Sequence, residues 1–369
     1  MKIKCSKADL LNGVNIVLKA VPSKTTMTIL ECILIVAENG ILKLIANDME
    51  IGIETQIEGD IKENGIIALD AKIFSEIVRK LPEGDISIET DGNYTATIKC
   101  MKAKFNLPGK SGDDFVYLPE VKKDESITIS QYTLKEVIRQ TIFSISDNDS
   151  NKLMKGILFE IKDNKLTVVS LDGHRISIRN IELRKDYGSR KLIIPGKSLG
   201  EINKILSGEI EKEVNIYFTD KHVLFEFDKT IMVSRLIEGE YFEYNRMFSK
   251  NYNTKVTVNR KEFIESIERA TLLVKEGDKK PVIFGIEDEV MEIRLNSTIG
   301  SMNDFIDINK EGSSLQIGFN PKFLIEALRV IDDEEIKIYM MNPKEPCFIS
   351  DDEKKYTYII LPINFNTVR

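Results

Sequence analysis

The sequence predicts an α+β chain of three similar domains, each of two β-α-β-β-β units. Three observations carry that prediction. Helical segments with the pattern Lys72-Glu76-Arg79, Lys197-Glu201-Lys204 and Lys322-Glu326-Arg329 recur with their lysines 125 residues apart. A short strand leads into an amphipathic helix near the start of each repeat, in KIKCSKADLLNGVNIVLKAV, SITISQYTLKEVIRQTIFSI and KVTVNRKEFIESIERATLLV. Alternating segments follow in GILKLIANDMEIGIE, DNKLTVVSLDGHRISIR and EDEVMEIRLNSTIGSM, and period-2 alternation is the mark of half-buried strands.

The second half of each repeat opens with a strand that runs into the marked helix. These stretches are GIIALDAKIFSEIVRKLPEGDISIE, RKLIIPGKSLGEINKILSGEIEKEVNIYF and SLQIGFNPKFLIEALRVIDDEEIKIYM. At roughly 100° per residue, the first and eighth positions of each marked helix share a face that ends in two cations. The opposite face holds Phe74, Ile77 and Leu81, then Leu199, Ile202 and Leu206, then Leu324, Ala327 and Ile331. Closing strands lie in KCMKAKFNLPG, TIMVSRLIEG and YTYIILPIN. Joints at residues 120–125 and 250–254 divide the chain into domains 1–124, 125–252 and 253–369. Each is large enough for a core of its own and longer than an ordinary solenoid repeat.

Composition narrows the function. The 369 residues are 42% hydrophobic, and no apolar run approaches the roughly 18 residues of a membrane span. The N-terminus, MKIKCSKADL, lacks the apolar core of a signal peptide, so a cytoplasmic protein with no membrane partner is expected. Cys5, Cys32, Cys100 and Cys347 are far apart and form no C-x-x-C pair. They read as reduced, packed thiols, not as a zinc or redox site. Only His174 and His222 are present, and no Walker A loop, H-E-x-x-H or G-x-S-x-G occurs. No metal, cofactor or catalytic residue is therefore expected. The net charge of −7 argues against a nucleic-acid partner as a bare sum, but the placement of cations decides that question.

A basic helix face without base-reading side chains meets phosphate, not bases. For one helix, a solvated face is the simpler explanation; the threefold recurrence favours a shared ligand. Three sheet-bearing domains in a row also leave two free ends, which a cyclic dimer closes. Twelve helices at about 9 Å spacing would line a circle about 34 Å across, wide enough for a duplex.

Along its whole length the chain resembles the bacterial sliding clamps, the beta subunits of DNA polymerase III. The resemblance is carried by SLDGHRISI (Ser170 to Ile178), GILFE, LPEGDISIE, RLIEGEYFEY, GFNPKFLIEAL and the closing IILPI. It implies the DNA-clamp fold, with helices lining a ring and sheets outside. It also implies a head-to-tail homodimer around duplex DNA that slides without sequence preference. The ring would tether the replicative DNA polymerase subunit and other proteins carrying short clamp-binding motifs, with a clamp-loader ATPase opening it and no catalysis of its own. The competing reading is a clamp-like peptide-binding scaffold that does not hold DNA. An enzyme acting on a small substrate is disfavoured by the missing catalytic constellation.

Three residue sets follow from the resemblance. Lys72, Arg79, Lys80, Lys197, Lys204, Lys322 and Arg329 are expected on the DNA channel, with Lys24, Lys135, Arg139 and Lys152 as additions. A peptide pocket is expected from Met154, Leu171, Gly173, His174, Arg175, Ile176, Phe242, Arg246, Met247, Ile360, Leu361, Pro362 and Ile363, with Arg175 and Arg246 at its polar edge. The dimer contact is expected from Lys102, Lys104, Phe105 and Leu107 against Leu272, Leu273, Asp304 and Asp307. Leu171, Phe242 and Asn364 depart from the family's frequent threonine, proline and arginine, and the chain runs on through Asn366-Thr367-Val368-Arg369.

Overall fold

The computed structural model describes residues 1–369 except Leu118, Glu125, residues 149–150, 248–250, 275–279 and 366–369, and the side chain of Arg246. The expected joint residues Glu125 and Lys250 and the four C-terminal residues thus lie outside the described residues. Six helices are present among the described residues: α1 (Lys7–Val17), α2 (Ala71–Lys80), α3 (Gln131–Arg139), α4 (Gly196–Ile205), α5 (Arg260–Thr271) and α6 (Pro321–Arg329). The order strand, helix, three strands repeats six times along the chain, with one extra short strand, Asp60–Glu63, in the first repeat.

Local chemistry sets the helix starts. Five of the six begin after a short polar residue whose side chain accepts an otherwise unsatisfied N–H: Ser6, Asp70, Ser130, Asn259 and Asn320. Such caps are each worth about 1 kcal/mol. The expected apolar faces are buried in α4 and α6, through Leu199, Ile202, Leu206, Leu324, Ala327 and Ile331. In α2 the stripe is rotated: Phe74 and Leu81 are buried, but Val78 takes the core position expected for Ile77, which is half-buried. The α2 stripe is therefore Ala71, Phe74, Ser75 and Val78; it turns the side chain of Ile73 outward.

The chain forms two compact units. The first joins Met1–Lys135 to Lys197–Leu236. Its antiparallel sheet has 13 strands among the described residues, ordered from Ser126–Ser130 through Glu213–Phe218, His222–Phe227, Thr230–Arg235 and Ile51–Ile57 to Ile41–Asn47. It continues through Cys32–Glu38, Gly65–Asp70, Ala103–Lys110, Thr95–Cys100, Asp85–Thr90 and Lys2–Ser6 to Asp60–Glu63. Helices α1 and α2 pack together in this unit.

The second unit joins Glu136–Gly196 to Ile237–Arg369. Its 12-stranded antiparallel sheet runs from Ser189–Pro195 through Gly156–Lys162, Lys165–Leu171, Arg175–Glu182, Tyr356–Ile360 and Cys347–Ser350 to Glu335–Met340. Thr254–Asn259, Ser301–Gly312, Val290–Asn296, Val282–Ile286 and Leu315–Phe319 complete it. Helices α5 and α6 pack together over a core that includes Phe263, Phe284, Phe319 and Leu324. The strands of the expected central domain therefore divide between the two sheets. All four cysteines are buried and unpaired; burial pushes the Cys5 and Cys347 thiols up to about 12. No helix among the described residues is long and apolar enough to cross a membrane.

Candidate functional site

The second unit holds a groove of about 300 Å³ built on three adjacent strands. Leu171 lies opposite Ile176 in the hairpin, and Ile176 lies opposite Ile359 on the next strand. These three side chains form a floor with Leu158, Val169, Ile178 and Ile193. The hairpin tip is fixed by Asp172, whose carboxylate accepts the N–H groups of His174 and Arg175 at 2.9 and 3.2 Å. Gly173 at this tip has φ +90°, a region open to glycine and costly for a side chain. The strand that ends at Ile360 is tied to the tip by the Leu361 N–H, which donates to the His174 carbonyl at 2.9 Å.

The segment following Ile237 closes one side of the groove. The Tyr241 hydroxyl donates to the carbonyls of Gly156 and Val169, both at 3.3 Å. The Tyr244 hydroxyl donates to Glu160 at 2.5 Å. Burial, then that carboxylate, pushes the Tyr244 phenol well above its ordinary range, so it stays a donor. Burial alone would raise Glu160, but the bonds from Tyr244 and Lys191 hold it below the usual glutamate value. These tyrosines anchor the segment that presents Phe242 and Met247. Phe242 packs edge-on against Tyr241 at 5.8 Å and leaves the groove open.

Nine of the thirteen expected pocket residues line this groove: Met154, Leu171, Gly173, His174, Arg175, Ile176, Phe242, Met247 and Leu361. Its surface is largely apolar, and the two methionines supply adaptable contact area. Ile360 is a correction. It points through the sheet into the core around Cys347 and Ile349, because neighbours on a strand face opposite sides. Ile359 lines the groove instead, and alternation from Leu361 identifies it. Pro362 and Ile363 lie beyond the lining; the Ile363 N–H donates to the Gly318 carbonyl at 2.8 Å. The side chain of Arg246 is outside the described residues. Glu243 and Tyr244 also line the groove; they close the segment RLIEGEYFEY, which carried the resemblance, but were not among the expected pocket residues.

Arg175 is not a mobile polar edge. Its side chain is 7% exposed, donates to Asp172 at 2.9 Å and also engages Glu326 and the Phe143 carbonyl. The guanidinium lies over the rings of Phe143 and Phe323, 5.4 and 4.4 Å from their centroids. It acts as a buried strut that ties the hairpin to α6.

The expected phosphate-binding cations are surface groups, and several are already paired. Lys24, Lys72, Lys80 and Lys152 are exposed and have no ion pair among the described residues. Arg79 pairs with Glu76 at 2.6 Å and Lys204 with Glu201 at 2.8 Å. Lys197 reaches Asp48 at 2.5 Å, and Arg329 reaches Glu268 at 2.6 Å. Lys322 stands 3.8 Å from Glu326. Lys135 donates to the Leu206 carbonyl at 3.0 Å, and Arg139 is held by Glu136 and by Asp332 at 2.9 Å. Surface pairs of this kind are worth little and yield to a stronger anion. The glutamates of the charge pattern pair with Arg79 and Lys204 and lie near Lys322, whereas Lys197 and Arg329 pair with Asp48 and Glu268.

Each unit also presents an open strand edge among the described residues. In the first unit, Ala103–Lys110 pairs with Thr95–Cys100 on one side, and with the strand before α2 only at Gly109 and Lys110. Lys102, Lys104 and Phe105 are exposed there, while Leu107 is buried within its own unit, a correction to its expected role. In the second unit, residues 301–307 of Ser301–Gly312 pair on one side only, because the neighbouring strand Thr254–Asn259 begins its pairing at Ile308. Phe305 is 60% exposed on this stretch and Leu272 is exposed nearby in sequence to half-buried Leu273. Asp307 is exposed, but Asp304 is occupied by Arg269 and by the Ser266 hydroxyl at 2.8 Å. Burial opposes the charge on Asp304, and those bonds still hold its carboxyl below the usual range.

Among the described residues, no cluster of His, Cys, Asp and Glu has the form of a metal site. The N-terminal, central and C-terminal domain families of the DNA polymerase III beta subunit match residues 1–119, 128–243 and 245–364. The beta sliding clamps of Staphylococcus epidermidis and Staphylococcus aureus are 33% identical over 98% of this chain and 99% of theirs. A crystal structure from Eubacterium rectale is 65% identical, with a TM-score of 0.96 over 100% of both chains. The sliding clamp of Bacillus subtilis is 34% identical, with a TM-score of 0.96 over 99% of this chain and 100% of that one. A Pseudomonas aeruginosa sliding clamp bound to griselimycin, 22% identical with a TM-score of 0.94, shares the fold. The chain belongs to the bacterial sliding clamps, the DNA polymerase III beta subunits, a family of non-catalytic processivity factors.

Proposed function

We propose that two copies of this chain close head to tail into a ring around duplex DNA in the cytoplasm. Three domains, 1–124, 125–252 and 253–369, make up each half. The ring slides without sequence preference and tethers the replicative polymerase and other motif-bearing proteins through the groove of the second unit. A clamp-loader ATPase opens and closes it. The observation that carries this reading is the recurrence of Lys72, Lys197 and Lys322, each exposed at the start of its helix and each beside an opposite, buried apolar stripe. Phosphate contact by such lysines is sequence-independent and salt-sensitive.

The test is charge reversal at all three positions, K72E/K197E/K322E. Retention on DNA falls, and the salt dependence of what remains flattens by roughly one unit of log–log slope for each phosphate no longer neutralised. Unchanged retention with an unchanged salt slope contradicts DNA binding by these faces. It favours the scaffold that captures peptides without holding DNA.

A further inference from the structure

The first unit carries a second groove whose backbone repeats that of the first. In the turn between Ile41–Asn47 and Ile51–Ile57, Asp48 stands where Asp172 does. Its carboxylate accepts the N–H groups of Glu50 and Ile51 at 2.9 and 2.7 Å. Met49 takes the place of Gly173 and keeps its left-handed backbone, at φ +75°. Gly52 pairs with Val233 as Ile176 pairs with Ile359. The Arg235 N–H donates to the Glu50 carbonyl at 3.0 Å, as the Leu361 N–H donates to that of His174. A cavity of about 360 Å³ opens beside this turn. Val116, Tyr117 and Pro119 border it; Phe115 packs with Leu34 and Ile45, and Val121 with Leu224 and Val233.

The backbone is shared, but the chemistry is not. Asn47 replaces Leu171, and Arg235 replaces Leu361. Arg235 and Lys221 are exposed, line the cavity, and have no ion pair among the described residues. Glu50 is the one carboxylate in the described lining. His222 lies opposite Arg235 in the strand register. Burial, with Arg235 and Lys221 nearby, lowers its pKa from the ordinary histidine value. The same lining includes apolar Val233 and the exposed side chains of Met49 and Tyr117.

We propose that this groove binds a short acidic segment of a partner protein. One apolar side chain of the segment lies against Met49, Tyr117 and Val233, and its carboxylates meet Lys221 and Arg235. That the ligand is a peptide rests on the peptide-capture reading of the first groove; the preference for acid rests on Lys221 and Arg235.

Two labelled peptides, EDLFE and its neutral counterpart QNLFQ, separate the two readings by fluorescence polarisation on the full chain. The acidic peptide binds the wild type and M154A/M247A alike. It binds K221E/R235E at least 10-fold more weakly, K221Q/R235Q falls between, and added salt weakens the contact because these cations are exposed. The neutral peptide is sensitive to M154A/M247A and indifferent to K221E/R235E. Thermal melts establish that each variant is folded. The proposal is overturned if the acidic peptide does not bind, if K221E/R235E binds it like the wild type, or if only M154A/M247A weakens it. Failure of the neutral peptide alone refutes peptide capture by the first groove and leaves the acidic site standing.

Discussion

At the scale of single residues, the tetrapeptide Asp172-Gly173-His174-Arg175 marks the groove in the sequence, and the structure assigns each member a different task. Asp172 ties the turn, Gly173 allows it, His174 lines the groove, and Arg175 braces the hairpin from below. The positions of these residues were legible; the role of Arg175 was not. An arginine near an apolar groove reads as a polar rim, and only the three-dimensional placement of Glu326, Phe143 and Phe323 shows it enclosed. The same limit explains Ile360, where a motif gives a neighbourhood but the strand's alternation decides which isoleucine faces it. Replacing Arg175 with alanine leaves Asp172 and Glu326 without their shared cation. Breaking a buried charge pair from one side costs about 3 kcal/mol or more, and urea denaturation should show that loss. A loss below about 0.5 kcal/mol would match a solvated rim arginine instead.

At the scale of elements, the repeat of strand, helix and three strands was legible almost entirely. Helical periodicity and strand alternation pointed the same way along the chain. The rotation of the α2 stripe from Ile77 to Val78 was not legible, because both side chains are apolar and one position apart. Open edges near residues 102–107 and 304–307 were expected from the sequence, but their extent was not legible, since it depends on where a neighbouring strand stops. Phe105 and Phe305 stand on the two edges, 40% and 60% exposed. Exposed edges of this kind are templates for pairing with another chain. In the proposed ring, one copy's first edge meets its partner's second edge. Each of F105E and F305E should therefore weaken the dimer by at least about 10-fold, or about 1.4 kcal/mol. Sedimentation equilibrium would then show a shift toward the 42.1 kDa monomer. A dimer unchanged by both substitutions would place the contact elsewhere.

At the scale of the whole molecule, charge and compactness each mislead when taken as one number. The net charge of −7 conceals unpaired lysines on α2 and paired cations on α4 and α6. Period and family likeness divide the chain into three, whereas its sheets gather it into two units, each taking strands from the middle of the sequence. Sequence periodicity records how the chain is repeated; sheet pairing records where its edges join, and the second follows from contacts far apart in sequence. The central claim is that the assembled chain encloses DNA topologically. The direct measurement loads the protein with a clamp loader onto nicked circular DNA, then cuts the circle once and follows the protein still bound. Stable retention on the closed circle and rapid loss once free ends exist are expected. Retention that is the same before and after linearisation would contradict that claim.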